Sequence, residues 1–189
     1  MTTERFNLKK GDRFNLTKNV PSLEEVKVRL YWKTKTAFPK YDLDLSIITL
    51  KNTDVGPKIF NDDWVVFFNN ERTPNGEIVK SPDARDSGEE IGIIKLNQIL
   101  PEADEESFIV TIFEPEKFKQ TFGQLEEAGI EIINNKTGDV ICFFDLDEQF
   151  TTETAVQIGS LIKVNNEWSF QAVGAGYNLE LGDILNGYC

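Results

Sequence analysis

The chain has 189 residues, with 20 Lys and Arg against 32 Asp and Glu, a formal net charge of −12 and a pI near 4.5. It contains no histidine, two cysteines and one methionine, which excludes Ser-His-Asp and Cys-His catalysis, His-ligated zinc or haem, and a self-contained four-cysteine metal site. The negative charge disfavours direct nucleic-acid binding, while the abundant group, carboxylate oxygen, is the natural ligand of hard cations such as calcium.

Hydrophobic residues make up 40% of the chain and aromatics 11%, the composition of a globular protein with a core built from Phe, Ile, Val and Leu. The length predicts one domain over residues 1–189. No apolar run approaches the ~18 residues of a membrane helix, and the N-terminus lacks the basic-then-apolar layout of a signal peptide. A cytoplasmic protein is therefore expected, with Cys142 a reduced core residue and Cys189 a free, exposed thiol.

In chain order, Val26–Trp32 alternates apolar and polar residues as a half-buried strand does. Asp42–Leu50 begins alternating and then turns apolar. Trp64–Phe68 is a short continuous apolar run, predicting a strand buried on both faces. Ile91–Leu96, Phe108–Phe113, Gly129–Ile133, Asp139–Phe144, Ala155–Val164 and Trp168–Val173 continue the series. Pro74-Asn75-Gly76, the Asn134–Asp139 segment and Asn165-Asn166 read as hairpin turns. Helical signal is confined to Glu116–Leu125 and Tyr177–Leu185. Short strands at this spacing without amphipathic helices between them predict a mainly β fold: a two-sheet antiparallel β-sandwich with one or two short helices.

Three segments concentrate oxygen ligands. Asp42 and Asp44 lie two apart on a strand, so both carboxylates share one face while Leu43 turns to the core. Asn69 and Asn70 follow an apolar strand, where a turn can present amide and carbonyl oxygens. Asp83, Asp86, Glu89 and Glu90 crowd a loop that carries Gly88 and does not fit EF-hand spacing. Each segment has an ordinary alternative: a solvated strand face, an Asn-rich turn, an acidic surface loop. Glu102–Glu106 follows a proline and reads as solvated charge at a turn. Tyr41-Asp42-Leu43-Asp44 is echoed by Phe144-Asp145-Leu146-Asp147, a short match that chance in an Asp-rich chain can produce.

The order of motifs resembles the TerD family of tellurium-resistance and stress-response proteins. Lys9-Lys-Gly-Asp-Arg-Phe-Asn-Leu-Thr-Lys18 resembles its opening strand. Leu30-Tyr-Trp32, Tyr41–Ser46, Val66–Asn70 and Phe122-Gly-Gln124 are similar to its next motifs. Phe144-Asp-Leu146, Thr152-Glu-Thr-Ala155 and Glu167–Tyr177 resemble its final third. The resemblance spans about residues 6–185 and implies a calcium-binding β-sandwich without enzymatic activity. It implies calcium ligands from Asp42, Asp44, Asn69, Asn70, Asp83, Asp86, Glu89 and Glu90. The chain departs from the family at Lys33, where an Asp usually follows the Trp, and at Lys40, where an Asp often precedes the pair. One or two calcium ions are accordingly expected.

The function so implied is a non-enzymatic module acting through calcium-dependent interaction with protein partners, membrane-associated ones included. Two other readings compete. The net charge suits an acidic DNA mimic binding a basic protein. The acids, together with Trp32, Trp64 and Trp168 as sugar-stacking platforms, suit a carboxylate-pair glycoside hydrolase, which needs its carboxyls opposed across a cleft at about 5–9.5 Å.

Overall fold

The computed structural model describes residues 5–34, 41–82, 88–146 and 150–189. Lys40, Asp83, Asp86 and Asp147, all singled out above, lie outside the described residues. The chain opens with β1 (Phe6–Leu8), a turn at Gly11 with φ of 90°, and β2 (Arg13–Asn15). A single helical turn, α1 (Leu16–Asn19), starts there because the Asn15 side chain accepts the Lys18 N–H at 2.8 Å. β3 (Glu25–Thr34) follows, then β4 (Leu43–Thr53) and β5 (Gly56–Ile59). β6 (Val65–Val66), β7 (Ile78–Lys80), β8 (Glu89–Lys95) and β9 (Glu105–Ile112) complete the middle of the chain. Helix α2 (Pro115–Phe118) precedes β10 (Leu125–Asn134), β11 (Val140–Asp145), β12 (Ala155–Val164), β13 (Glu167–Tyr177) and helix α3 (Leu181–Asn186).

Two sheets stack face to face. One runs in the order β1-β11-β10-β3-β8-β7 and the other β2-β13-β12-β9-β4-β5, with β6 also paired to β4. All pairings are antiparallel except β1 with β11, so the predicted antiparallel β-sandwich is observed. The alternation of β3 explains its role: Val26, Val28, Leu30 and Trp32 are buried toward the opposite sheet. β4 is different, because Leu43 to Leu50 is buried on both faces. Its inner face carries Leu43, Leu45 and Ile47. Its outer face carries Ile48 and Leu50, which α3 covers through Ile184 in a second apolar cluster with Val65, Ile109 and Ala155. Full burial of each such side chain contributes about 1.5–3 kcal/mol.

Turn chemistry follows the sequence. Asn165 and Asn166 both adopt left-handed φ, 51° and 63°, giving the mirror-image turn whose twist suits the β12–β13 hairpin. At Pro74-Asn75-Gly76 the Glu77 carboxylate closes the turn, accepting Thr73 Oγ1 at 2.6 Å and Asn75 Nδ2 at 2.8 Å. Cys142 is buried and Cys189 exposed, both as free thiols. Among the described residues no helix is long and apolar enough to cross a membrane.

Four expectations need correction. Trp64–Phe68 is not one strand: Asp62–Trp64 forms a 3-10 turn capped by Asn61, only Val65–Val66 pairs, and Phe68 is 45% exposed. The run is bracketed by an Asn cap on one side and a tight Phe67–Asn70 turn on the other, which leaves it too little length for a strand. The Glu116–Leu125 helix divides into α2 and a 3-10 turn over Phe122–Gln124, because Lys119 takes a left-handed φ of 51°. Tyr177 ends β13, and the last helix begins only at Leu181. Finally, the segment Glu102–Glu106 is not all solvated charge. Glu105 and Glu106 belong to β9, and Glu106 is fully buried between the sheets.

Candidate functional site

The start of β4 gathers the first group of candidate ligands. Leu43 and Leu45 point into the core, so strand alternation sends Asp44 and Ser46 to the other face, while Asp42, expected on the strand, lies just before its first residue. Asp42 is half-buried, and its carbonyl accepts the Phe113 N–H at 2.9 Å. Asp44 stands opposite Thr111 of β9 and is only 6% exposed. Ser46 stands opposite Ile109, is fully buried, and its Oγ has no hydrogen-bond partner among the described residues. An orphaned buried hydroxyl costs about 1–3 kcal/mol. The solvated strand face considered for this segment is therefore not what forms.

The Asn pair sits alongside. β6 pairs with β4 through Ile47 and Val66, and continuing that antiparallel register carries the chain from Phe67 toward the Asp44 end. Phe67 and Asn70 exchange backbone hydrogen bonds of 2.9 and 3.0 Å, making a tight turn. The Asn70 amide nitrogen donates to the Val65 carbonyl at 2.8 Å and locks it, while Asn69 is exposed.

The two glutamates at the end of the acidic loop part company. They are neighbours on β8 and so face opposite sides. Glu89 turns to the outer face of its sheet, where Arg29 bridges it at 3.1 Å and Glu131 at 2.7 Å. Glu90 turns inward. Its Oε1 lies 2.7 Å from Lys80 Nζ, with both side chains buried, and its Oε2 accepts the Leu45 N–H at 2.5 Å. Leu45 is in the other sheet, so Glu90 ties the two layers together directly beneath the Asp42–Ser46 segment.

Lys80 was missed by sequence reasoning, although a signal existed. Ile78 faces the core, so period-two alternation obliges Lys80 to do the same. Lys33 is bonded at 3.0 Å to Glu126 on β10. Among the described residues no group of three or more Asp, Glu or Cys side chains stands ready to hold a metal. Trp32, Trp64 and Trp168 are buried in the core at 4–8% exposure, so none is available as a sugar platform.

The TerD domain family model matches residues 5–188. The chain belongs to the TerD family. It is 34% identical over 188 residues to general stress protein 16U of Bacillus subtilis, covering 96% of each chain. It is likewise 34% identical over 187 residues to the tellurium resistance protein TerD of Serratia marcescens, again covering 96% of each. A solved Streptomyces coelicolor homologue of the telluride resistance protein TerD superposes with a TM-score of 0.67 at 22% identity, over 87% of this chain and 96% of that one.

Several TerD motifs act here as structural joints. Trp32 Nε1 donates to the Tyr41 carbonyl at 3.2 Å, and the Tyr41 hydroxyl donates to the Gln124 side chain, linking the Trp, Asp-Leu-Asp and Phe-Gly-Gln segments. In Thr152-Glu-Thr-Ala155, Glu153 accepts the Thr151 and Thr152 N–H groups at 2.7 and 3.0 Å. Backbone hydrogen bonds hold its carboxyl below the usual range. Gly176 of the final motif leaves room for Glu153 and Phe150, whose atoms would stand 2.7–2.8 Å from a Cβ there.

Proposed function

We propose that this TerD protein is a non-enzymatic stress-response module of the cytoplasm that binds calcium at the start of β4 and acts through calcium-dependent docking with protein partners. Relatives named for general stress and tellurium resistance support the stress-response part. The observation that carries the calcium part is Ser46: a buried Oγ without a partner among the described residues, on the strand face that also bears Asp44. Positions two apart on a strand are about 6.6 Å apart, so one hard cation can take oxygens from neighbouring positions. Asp42 and Asp44 would hold the ion, with the Asn69-Asn70 turn beside them; Asp83 and Asp86, the other expected ligands, lie outside the described residues. The donors are all oxygen, as calcium requires. The ion would neutralise carboxylates that otherwise repel one another.

Calcium is therefore expected to stabilise the fold, by about 2.7 kcal/mol at a free concentration 100 times Kd. Thermal melts in millimolar calcium and in chelator test this, with Asp44→Asn expected to lose most of the shift. Superimposable melts of the parent protein under the two conditions would remove calcium from the function.

The surface charge also bears on tellurium resistance. Tellurite is an oxyanion, and a protein at −12 repels it. Direct sequestration is not expected, and calorimetry in calcium-free buffer should detect no binding. Micromolar affinity there would replace partner docking with sequestration.

A further inference from the structure

A second site lies away from the start of β4, at the end of the β10–β11 ladder. Their ladder runs as far as Gly129 opposite Asp145, and the Leu146 N–H still reaches the Ala128 carbonyl at 2.8 Å. Beside that point a cleft of about 1070 Å³ opens, lined by the 121–128 segment and by Tyr31, Asp145, Leu146, Phe150 and Thr151. That is slightly above the usual range of about 300–1,000 Å³ for small-molecule sites.

Two glycines shape the cleft. Gly123 lies against the 150–151 segment so closely that a Cβ would stand 2.6 Å from the Thr151 carbonyl oxygen. Gly129 lets the Tyr31 ring lie across β10, since a Cβ there would overlap the phenol and stand 2.8 Å from the Phe144 carbonyl oxygen. Tyr31, Gly129 and Asp145 are successive register partners on β3, β10 and β11. The Tyr31 hydroxyl thus donates across the glycine to Asp145 Oδ1.

The lining divides by chemistry. The floor is apolar, with Phe122, Leu125 and Phe150 buried and the rings of Phe122 and Phe150 packed edge to face at 6.2 Å. The rim is acidic: Asp145, Glu126 and Glu127. Lys33 neutralises Glu126. Asp145 Oδ2 and the Glu127 carboxylate accept no hydrogen bond among the described residues, although Lys33, the cross-strand partner of Glu127, attracts it as well as Glu126, so the rim keeps a net negative charge.

We propose that this cleft binds a small organic cation, an ammonium or guanidinium carried on an apolar stem. The stem packs on the Phe122–Phe150 floor, and the charge rests between Asp145 and Glu127; the Tyr31 ring supplies no cation–π contact, because Arg29 already lies over it at 5.3 Å from the ring centroid. An anion of the same stem meets net negative charge at the same rim.

The site is tested with hexylammonium, hexanoate and hexanol, at low ionic strength and with chelator present so that the result is independent of the calcium reading. Backbone amide NMR shifts provide the readout. Hexylammonium should saturate shifts confined to Gly123, Ala128, Gly129 and their neighbours, while hexanoate leaves them unchanged. Asp145→Asn keeps the oxygen that Tyr31 bonds, and together with Glu127→Gln should weaken hexylammonium binding at least tenfold at an unchanged melting temperature. Glu116→Gln on α2 should bind as the parent does. Equal binding of hexanol, undiminished binding by the double variant, shifts scattered over the surface, or no shift at all would each overturn the proposal.

Discussion

Replacing Lys80 by methionine should lower stability by about 3–5 kcal/mol, which is the effect of leaving a buried charge without its partner. The Lys80 and Glu90 side chains are 0% and 1% exposed, and they meet at 2.7 Å between the sheets. Methionine fills a similar volume, so the loss would come from the stranded Glu90 carboxylate and not from a cavity. For a chain of this size the midpoint should fall by about 2–4 °C per kcal/mol. Urea unfolding measures the effect without screening charge. Adding Glu90→Gln to Lys80→Met should recover much of the loss, because the glutamine carbonyl can still accept the Leu45 N–H while no charge remains. A single-variant loss below 1 kcal/mol, or a double variant no more stable than the single, would show that the pair does not clamp the layers.

Glu106 should make the protein less stable as pH rises from about 4.5 to about 8. Burial pushes its carboxyl up from 4.5 to about 8, against the opposing influence of the Thr49 hydrogen bond and of Lys163. Thr49 Oγ1 donates to Oε2 at 2.6 Å, while Oε1 is buried without a partner. Glu105 is the other charge nearby and favours the protonated form. Between the unfolded and folded values the native state holds a proton that the unfolded chain has released. Raising the pH therefore favours unfolding, by about 1.4 kcal/mol per pH unit, and the effect levels off above the folded value. Glu106→Gln imitates the protonated acid and should match the parent near pH 4.5. By pH 8.5 it should exceed the parent by several kcal/mol. Titrating groups other than the coupled Glu105 and Lys163 contribute equally to both chains, so the difference between their urea midpoints across pH reports chiefly on Glu106. A difference independent of pH would mean that Glu106 is ionised in the native state throughout.

Much of the sandwich is legible in the sequence because its signals are local. Alternation in Val26–Trp32 needs only the two faces of a strand, and the left-handed Asn165-Asn166 turn needs only residues that tolerate positive φ. The short Trp64–Phe68 run misleads because an Asn cap and a tight turn compete for the same residues. The candidate site divides along the same line. Strand geometry places Asp44 on the face opposite Leu43 and Leu45 but leaves Asp42 one residue before β4, and the same rule applied to β8 separates Glu89 from Glu90.

Taken by itself, the sequence determined the longer strands, most of their turns, the TerD family and the oxygen-rich segments, but not the short strands β1, β5 and β7. Tertiary structure alone decided which charges are buried and what each one meets. Period two says that neighbouring residues face opposite ways, but not which face is inside or what lies across from it. Glu105–Ile112 was visible as a strand only from Phe108 onward, because a core glutamate resembles a surface one until Thr49 is placed beside it. The outer face of β4 became interior only when α3 closed over it, which enclosed Ile48 and Leu50. Asp145 meets Tyr31 across 114 residues of chain, and Glu90 meets Leu45 across 45. Such pairings are set by the stacking of sheets, whose free energy comes from the shared apolar core and not from the charged residues it brings together.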